Sequence, residues 1–328
     1  MDVSSSTSEA QTDHNEYGHH PVLYHEILQF LQPKMGGRYV DGTLGIGGHA
    51  WGILQSSSPD GLLIGLDIDP VAIALAKERL ALFGDRAIIF QESYAFLGER
   101  LATMEWVKVD GILLDLGASS IQFDTPDRGF SFRADAPLDM RFDPLNPRQA
   151  ADLVNSLPED ELADIIYNFG EERYARRIAR AILKARPIIS TGKLAEVVTT
   201  AIRSTKGHWD SHRRYNLHPA TRTFQALRIA VNRELEALEA VLPQAVTALS
   251  PGGRLAIISF HSLEDRIVKQ FFRKESRDCL CPPRQPVCNC DHRAVLIEVT
   301  HHPIKPLEME VKVNPRSRSA RLRVAEKK

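Results

Sequence analysis

Tyr39-Val40-Asp41-Gly42-Thr43-Leu44-Gly45-Ile46-Gly47-Gly48-His49 decides the fold: a short apolar strand runs through an acid into a glycine-rich turn. Glycine reaches positive φ without steric cost and lets a ligand approach the main chain with no Cβ in the way. A helix starting near His49 would aim its unbonded N–H groups at that ligand. The stretch therefore reads as a nucleotide-type cofactor loop, with a tight turn that binds nothing as the competing reading.

Within the loop, Gly45-x-Gly47-x-x-Ala50 satisfies a permitted variant of the dinucleotide fingerprint. Asp41 separates the ligand classes. A carboxylate at the strand's end repels a pyrophosphate and suits a ligand with an ammonium or sulfonium group. S-adenosylmethionine carries both, which places an NAD-dependent oxidoreductase second.

Outward from the loop, Val22 to Leu31 reads as a helix with apolar positions at Leu23, Ile27, Leu28 and Leu31. Downstream, Leu62 to Asp69 is a buried strand ending in acids, and Pro70 opens a helix whose Val71, Ala74, Leu75 and Leu82 are expected to face the core. Asp67 ends the second strand, where an acid can accept hydrogen bonds from both ribose hydroxyls. Helix capping is the alternative, and Asp69, directly before Pro70, suits the cap better. After a third strand, Ala87 to Phe90, Tyr94 is a candidate platform for an adenine face or a core aromatic. The fourth strand, from Val109, delivers Asp115. Strands alternating with helices imply a parallel sheet that binds ligands at its carboxyl ends. Asp41, Asp67 and Asp115 then share one edge.

From Phe123 to Arg222 the strand pattern stops. It resumes at Leu255–Phe260, after the turn Pro251-Gly252-Gly253-Arg254, and continues at Val295–Val299 and Arg321–Val324, making about seven strands. The expected fold is α/β: a discontinuous Rossmann-like sheet domain, 17–122 with 223–328, carrying an inserted α-helical domain at 123–222. In the latter part, Ala220, Phe224, Leu227 and Val231 form a helical core stripe, and Ser262 with Asp265 reads as a variant capping box. His261 faces substrate or serves a local structural role. Residues 1–16, rich in Ser, Thr and acids, read as a disordered tail without a signal-peptide core. No apolar run is long enough to span a bilayer, so a cytoplasmic protein with no membrane partner is expected.

A formal net charge of −1 hides a strong asymmetry. Between Arg173 and Arg233 stand 14 Lys and Arg against Glu196 and Asp210, and between Val311 and Lys328 stand 7 against Glu326. Arg173, Arg177, Arg180 and Lys184 make one helical stripe beside another of Tyr174, Ile178, Ala181 and Ala185. Such a stripe is either a plain solvated face or a surface for RNA phosphates, and the excess over the whole segment favours RNA. All 4 cysteines fall in Cys279-Leu280-Cys281 and Cys288-Asn289-Cys290. A cytoplasmic disulfide is disfavoured. Four clustered thiols can bind zinc, but the Cys-x-Cys spacing departs from the usual Cys-x2-Cys of zinc sites, so no metal ligand is assigned and a loop of partly buried thiols is the competing reading.

His19-His20-Pro21-Val22, the glycine loop from Asp41 to His49, Asp110-Gly111-Ile112-Leu113-Leu114-Asp115-Leu116-Gly117-Ala118-Ser119-Ser120, Arg128-Gly129-Phe130-Ser131-Phe132, His218-Pro219-Ala220-Thr221-Arg222-Thr223-Phe224-Gln225, Ser259-Phe260-His261-Ser262-Leu263-Glu264-Asp265-Arg266 and Asn314-Pro315-Arg316-Ser317-Arg318 together carry a resemblance. The chain resembles the bacterial 16S ribosomal RNA cytosine-N4 methyltransferase family over nearly its whole length beyond the tail. The resemblance implies a class I methyltransferase sheet with an inserted helical domain, S-adenosyl-L-methionine as cofactor, and 16S rRNA in the small ribosomal subunit or its precursor as partner. It also implies cofactor contacts at Gly47, Gly48, His49, Asp67, Tyr94, Asp115 and Gln122.

Cytosine's exocyclic amine is a poor nucleophile because its lone pair is delocalised into the ring. An enzyme acting on it must hold the nitrogen in line with the departing sulfur and offer an acceptor to an amine hydrogen. Asp115 is the catalytic candidate. Many amino methyltransferases carry Pro-Pro-Tyr/Phe after the fourth strand; here Asp115-Leu116-Gly117 stands instead, which leaves the amine-orienting group open. Other family members lack the cysteine cluster, which sets it apart from catalysis. A ribosome-assembly protein keeping the fold as an inactive RNA-binding scaffold is the remaining alternative.

Overall fold

Apolar runs bounded by turns become the strands of one sheet in the computed structural model, which describes residues 21–203, 218–282, 285 and 287–328. The expected tail, His19 and His20, and the basic segment's Lys206, Asp210, Arg213 and Arg214 lie outside the described residues. The chain divides into two units, 1–116 with 239–328, and 117–238.

The first unit opens with α1 (Tyr24–Leu31), β1 (Arg38–Asp41), α2 (Gly48–Ser56), β2 (Leu62–Asp67), α3 (Pro70–Arg79), β3 (Ala87–Gln91), α4 (Leu97–Thr103) and β4 (Val109–Asp115). The second unit holds α5 (Ser120–Asp124), α6 (Ala150–Ser156), α7 (Glu159–Gly170), α8 (Ala175–Ala185), α9 (Thr191–Arg203) and α10 (Thr221–Asn232). The division falls within α11 (Glu234–Ala248), and the first unit resumes with β5 (Leu249–Ser259), α12 (Ser262–Glu275), β6 (Leu296–Glu298), α13 (Glu308–Val313) and β7 (Arg321–Lys327).

The sheet has seven strands in the order β3-β2-β1-β4-β5-β7-β6. The first five run parallel, while β7 pairs antiparallel with both β5 and β6. This is the α/β class I methyltransferase sheet expected from the sequence. Chain order reverses between β1 and β4, and the crevice outside the carboxyl ends at such a switch point is where open α/β sheets bind ligands. Tyr39, Leu63, Ile64, Ile112, Leu113, Ile257 and Ile258 are almost fully buried, as continuous apolar strands covered on both faces must be. The turn expected at Pro251–Arg254 is absorbed into β5 as an irregularity: register passes from Val109↔Leu249 to Gly111↔Arg254, with Gly252 at φ 79°.

Two local expectations are corrected. In α3 the buried apolar side chains are Ala72, Ile73 and Ala76, while Val71 and, beyond the helix, Leu82 are exposed. Six consecutive apolar residues, Val71 to Ala76, give no period that selects a face, and packing on the sheet selects it. At α12 the N-cap is His261: its Nδ1 accepts from Glu264 N (3.4 Å), and Glu264 Oε2 accepts from His261 N (3.2 Å) and Phe260 N (2.8 Å). Asp265 instead accepts from Arg323 Nε (2.7 Å) and Arg321 Nη1 (2.8 Å) on β7. Burial pushes its carboxyl up, but the hydrogen bonds and charges of Arg323 and Arg321 outweigh that and hold it below its ordinary value.

The helical unit has its own core, built from Phe130, Leu138, Met140, Leu162, Ile166, Ile178, Ile182, Leu194, Val198, Phe224 and Leu227 among others. The stripe Ala220, Phe224, Leu227 and Val231 is buried as expected. The segment without a period, 123–147, is fixed by side chains. Arg128 donates to the carbonyls of Arg141 and Phe142, and Phe130 stacks on Phe142 at 5.4 Å between centroids.

Candidate active site

The glycine loop is fastened to the strands on both sides of β1. Leu44 N donates to Leu66 O and Gly45 N to Asp67 Oδ2, both tying it to β2. Toward β4, Gly42 N donates to Leu113 O, and Thr43 Oγ1 accepts from Asp115 N. Gly47 then takes φ 78° as the residue before α2, a left-handed conformation that opens the helix without a side-chain cap. Gly48 and His49 form the first helical positions, both buried. The sequence placed that helix start correctly.

Asp41, Asp67 and Asp115 end β1, β2 and β4, which are neighbours in the order β2-β1-β4. Asp41 is 1% exposed and accepts from Thr43 N at 3.1 Å. Burial pushes its carboxyl up to about 7, partly offset by His49 and the Thr43 N–H and reinforced by the charges of Asp115 and Asp67. Asp67 accepts from Gly45 N (2.8 Å) through one oxygen and from Asp69 N (2.9 Å) through the other. Burial raises it to about 6 against the pull of those backbone donors. Each carboxylate oxygen has a second lone pair, so both retain capacity for a hydroxyl. Asp69, not Asp67, caps α3 by accepting from Val71 N at 3.0 Å.

His49 and Asp115 meet across the β1–β4 boundary, with Nε2 3.7 Å from Oδ2. The imidazole lies near-parallel to the Tyr24 ring, 6.2 Å between centroids. Among the described residues, both His49 ring nitrogens and Asp115 Oδ1 are buried without a hydrogen-bond partner. Groups of this kind cost roughly 1–3 kcal/mol when left unpaired, so their concentration at one edge marks a place where a ligand supplies the missing partners.

Tyr94 follows β3 and is half-buried, and Gly42 makes room for it. A Cβ at Gly42 would lie 2.6 Å from Leu114 Cδ2 and 3.1 Å from Tyr94 Cβ. Gln122 belongs to the other unit, on α5, where its side-chain oxygen accepts from Ser119 N (2.9 Å) in a capping box. His261 resolves to its local role as the α12 cap. Sequence reasoning missed Thr43, which hydrogen-bonds to the backbone of Asp115, and Tyr24, which lies over His49. Neither carries a signal that a strand pattern exposes.

These features fit S-adenosylmethionine. Among the described residues no Lys or Arg pairs with the three carboxyls on adjacent strand ends, and an ammonium and a sulfonium would supply that positive charge. The glycine loop offers main chain without side chains in the way.

Comparison with known proteins agrees with that chemistry. A model described as the MraW methylase family matches residues 16–328. The chain is 53% identical over 314 residues to the "Ribosomal RNA small subunit methyltransferase H" of Geobacter sulfurreducens, covering 95% of this chain and 99% of the relative. Proteins of the same description from Geotalea uraniireducens and Heliobacterium modesticaldum are 52% and 50% identical over 316 and 315 residues, each covering 95% of this chain and 99% of the relative. With a family match running to its last residue and relatives half identical along nearly their whole length, the chain belongs to the MraW methylase family.

Proposed function

We propose that the protein transfers a methyl group from S-adenosylmethionine to the N4 amine of a cytosine in the decoding region of 16S ribosomal RNA. The observation that carries this reading is the buried Asp115 Oδ1, without a hydrogen-bond partner among the described residues, beside His49 at the sheet's switch point, with Asp41 and Asp67 ending the next two strands. Family membership and the names of the relatives support the donor and the ribosomal RNA class.

Gly47, Gly48 and His49 would hold the cofactor along the loop, Asp67 its ribose, and Tyr94 its adenine face. Gln122 joins this set through the family resemblance alone; in the structure its carboxamide oxygen accepts from Ser119 N in the α5 cap. When bound, S-adenosylmethionine supplies an electrophilic methyl on a positively charged sulfur. Asp115 then acts on the amine: Oδ1 accepts one N4 hydrogen, orients the nitrogen lone pair, and steadies the positive charge that grows there as the N–C bond forms. The S–C bond of the donor would break as the N–C bond forms, releasing S-adenosylhomocysteine, and the N4 proton would pass late to Asp115 or to water, so no strong general base is required. The base reaches the site extruded or already unstacked. No helix among the described residues is long and apolar enough to cross a membrane, and the reading needs none.

The test incubates the protein with methyl-labelled S-adenosylmethionine and unmodified small ribosomal subunits, then digests the RNA to nucleosides. Labelled N4-methylcytidine, absent with Asp115→Ala, is the expected result. No label despite tight cofactor binding would overturn the assignment and turn the reading toward an assembly scaffold.

A further inference from the structure

The segment joining α12 to β6 brings the chain's four cysteines together. Cys279 Sγ lies 3.5 Å from Cys288 Sγ and 3.8 Å from Cys290 Sγ. Cys288 Sγ lies 3.6 Å from Cys290 Sγ and 3.9 Å from Cys281 Sγ, and all four sulfurs fall within 4.8 Å of one another. Two geometries compete for such a set. A disulfide requires sulfurs about 2.05 Å apart. Zinc holds thiolates at about 2.3 Å, so a tetrahedron of four has edges of about 3.8 Å. The observed spacings scatter around the second value. An inorganic iron–sulfur cluster at the centre would spread the cysteine sulfurs further apart.

We propose that Cys279, Cys281, Cys288 and Cys290 form a structural zinc site. The Cys-x-Cys spacing that argues against zinc along the sequence is overcome in space, because the loop folds the two short hooks against each other. Main-chain donors fix two of the sulfurs in place: Leu280 N points at Cys290 Sγ (3.3 Å) and Cys281 N at Cys279 Sγ (3.4 Å). Gln285 Nε2 donates to Asn289 Oδ1 (2.7 Å) between the hooks. The base of the loop is closed by Val295 N to Glu275 O (2.9 Å) and Ala294 N to Asp278 Oδ1 (3.2 Å).

Cys279 and Cys288 are exposed, Cys281 and Cys290 only partly covered, and Leu280 and Val287 exposed, so among the described residues of the loop no hydrophobic core holds the hooks together. Coordination does this instead, with the ion displacing the thiol protons as the four bonds form. Four protein ligands fill a tetrahedral ion and leave no position for water or substrate, which makes the site structural.

The test uses the full chain purified under reducing conditions. Elemental analysis is expected to give one zinc per chain, and cobalt(II) in its place to give the intense visible bands of a tetrahedral tetrathiolate. Cys288→Ser should lose both while S-adenosylmethionine affinity by calorimetry stays within about twofold of the parent. Wild-type protein that takes up no more zinc or cobalt than Cys288→Ser would overturn the proposal. So would an intact mass, without added reductant, four hydrogens lighter than the tetrathiol, which means two disulfides. Metal content of the wild type decides the matter even if the variant folds poorly.

Discussion

His49 Nε2 lies 3.7 Å from Asp115 Oδ2, although one residue opens the helix after β1 and the other ends β4. At that distance Nε2 makes no hydrogen bond to Oδ2, and both His49 ring nitrogens and Asp115 Oδ1 are buried without a hydrogen-bond partner among the described residues. The two side chains thus face each other with polar atoms that a bound ligand can satisfy.

Asp115→Ala is expected to lower kcat by about 100- to 1000-fold, the usual effect of losing one preorganised group that meets developing charge. S-adenosylmethionine affinity should change by less than about tenfold. Asp115→Asn keeps an acceptor oxygen and should recover part of kcat. Single-turnover methyl transfer alongside calorimetric cofactor binding checks this. A loss confined to cofactor affinity would make Asp115 a binding group instead.

Asp67 does two jobs with one side chain, since its oxygens hold Gly45 N and Asp69 N while facing the cofactor edge. Asp67→Ala should weaken S-adenosylmethionine at least tenfold, equivalent to about 1.4 kcal/mol. It should also lower unfolding free energy by roughly 1–3 kcal/mol, because two backbone donors lose their acceptor. Equal calorimetric affinity for wild type and variant would falsify the ribose assignment.

Much of the fold was readable because its strands are apolar runs closed by acids or glycine turns. The parallel order of β1 to β5 follows from their alternation with helices. The insertion of β7 between β5 and β6 was not readable, since antiparallel pairing of two late, short strands depends on which sheet edge is free. The core face of α3 was lost in an unbroken apolar run. At α12 Ser262 and Asp265 matched a capping spacing that His261 and Glu264 occupy, and only β7 shows what Asp265 serves. Within the site, three acids at strand ends were legible from position alone. The His49–Asp115 approach and the Thr43 hydrogen bond were not, because both require knowing that β1 and β4 are neighbours. The approach of the four cysteine sulfurs was not legible for the same reason: separation along the chain says little about separation across a folded loop.

Asp41 and Asp67, raised to about 7 and about 6, give the protein a distinctive pH response. Both folded values lie above the ordinary 3.8. Between those limits the folded chain binds more protons than the unfolded one. The contribution of these acids to stability is therefore greatest below about pH 4, falls as pH rises through about 7, and is level above that. The urea midpoint should be lower at about pH 8 than at about pH 5, and Asp41→Asn, neutral throughout, should reduce the difference. A cationic ligand favours the ionised carboxyls, so S-adenosylmethionine should stabilise more at about pH 8 than at about pH 5. S-adenosylhomocysteine, without the sulfonium, should show a smaller contrast. A midpoint difference unchanged by Asp41→Asn would remove that residue from the account.

On α8 the buried face is Ala175, Ile178, Ala179 and Ile182, which leaves Arg173, Arg180 and Lys184 exposed and Arg177 half-buried. Arg180 pairs with Glu159 at 3.1 Å, and Arg173 lies 4.6 Å from the Tyr174 ring centre. An exposed pair of this kind is worth at most about 1 kcal/mol and exchanges readily for a phosphate. We expect Arg173→Gln, Arg177→Gln and Arg180→Gln together to weaken RNA binding and flatten its dependence on salt. Each lost phosphate contact should reduce the slope of log K against log salt by about 0.7–0.9. Arg180→Gln alone should have a smaller effect than Arg173→Gln, because Glu159 already neutralises part of the Arg180 charge. Filter binding to small-subunit RNA across a salt series reads all of this directly. A slope equal to wild type in the triple variant would return the stripe to an ordinary solvated face and leave RNA recognition to other basic segments of the chain.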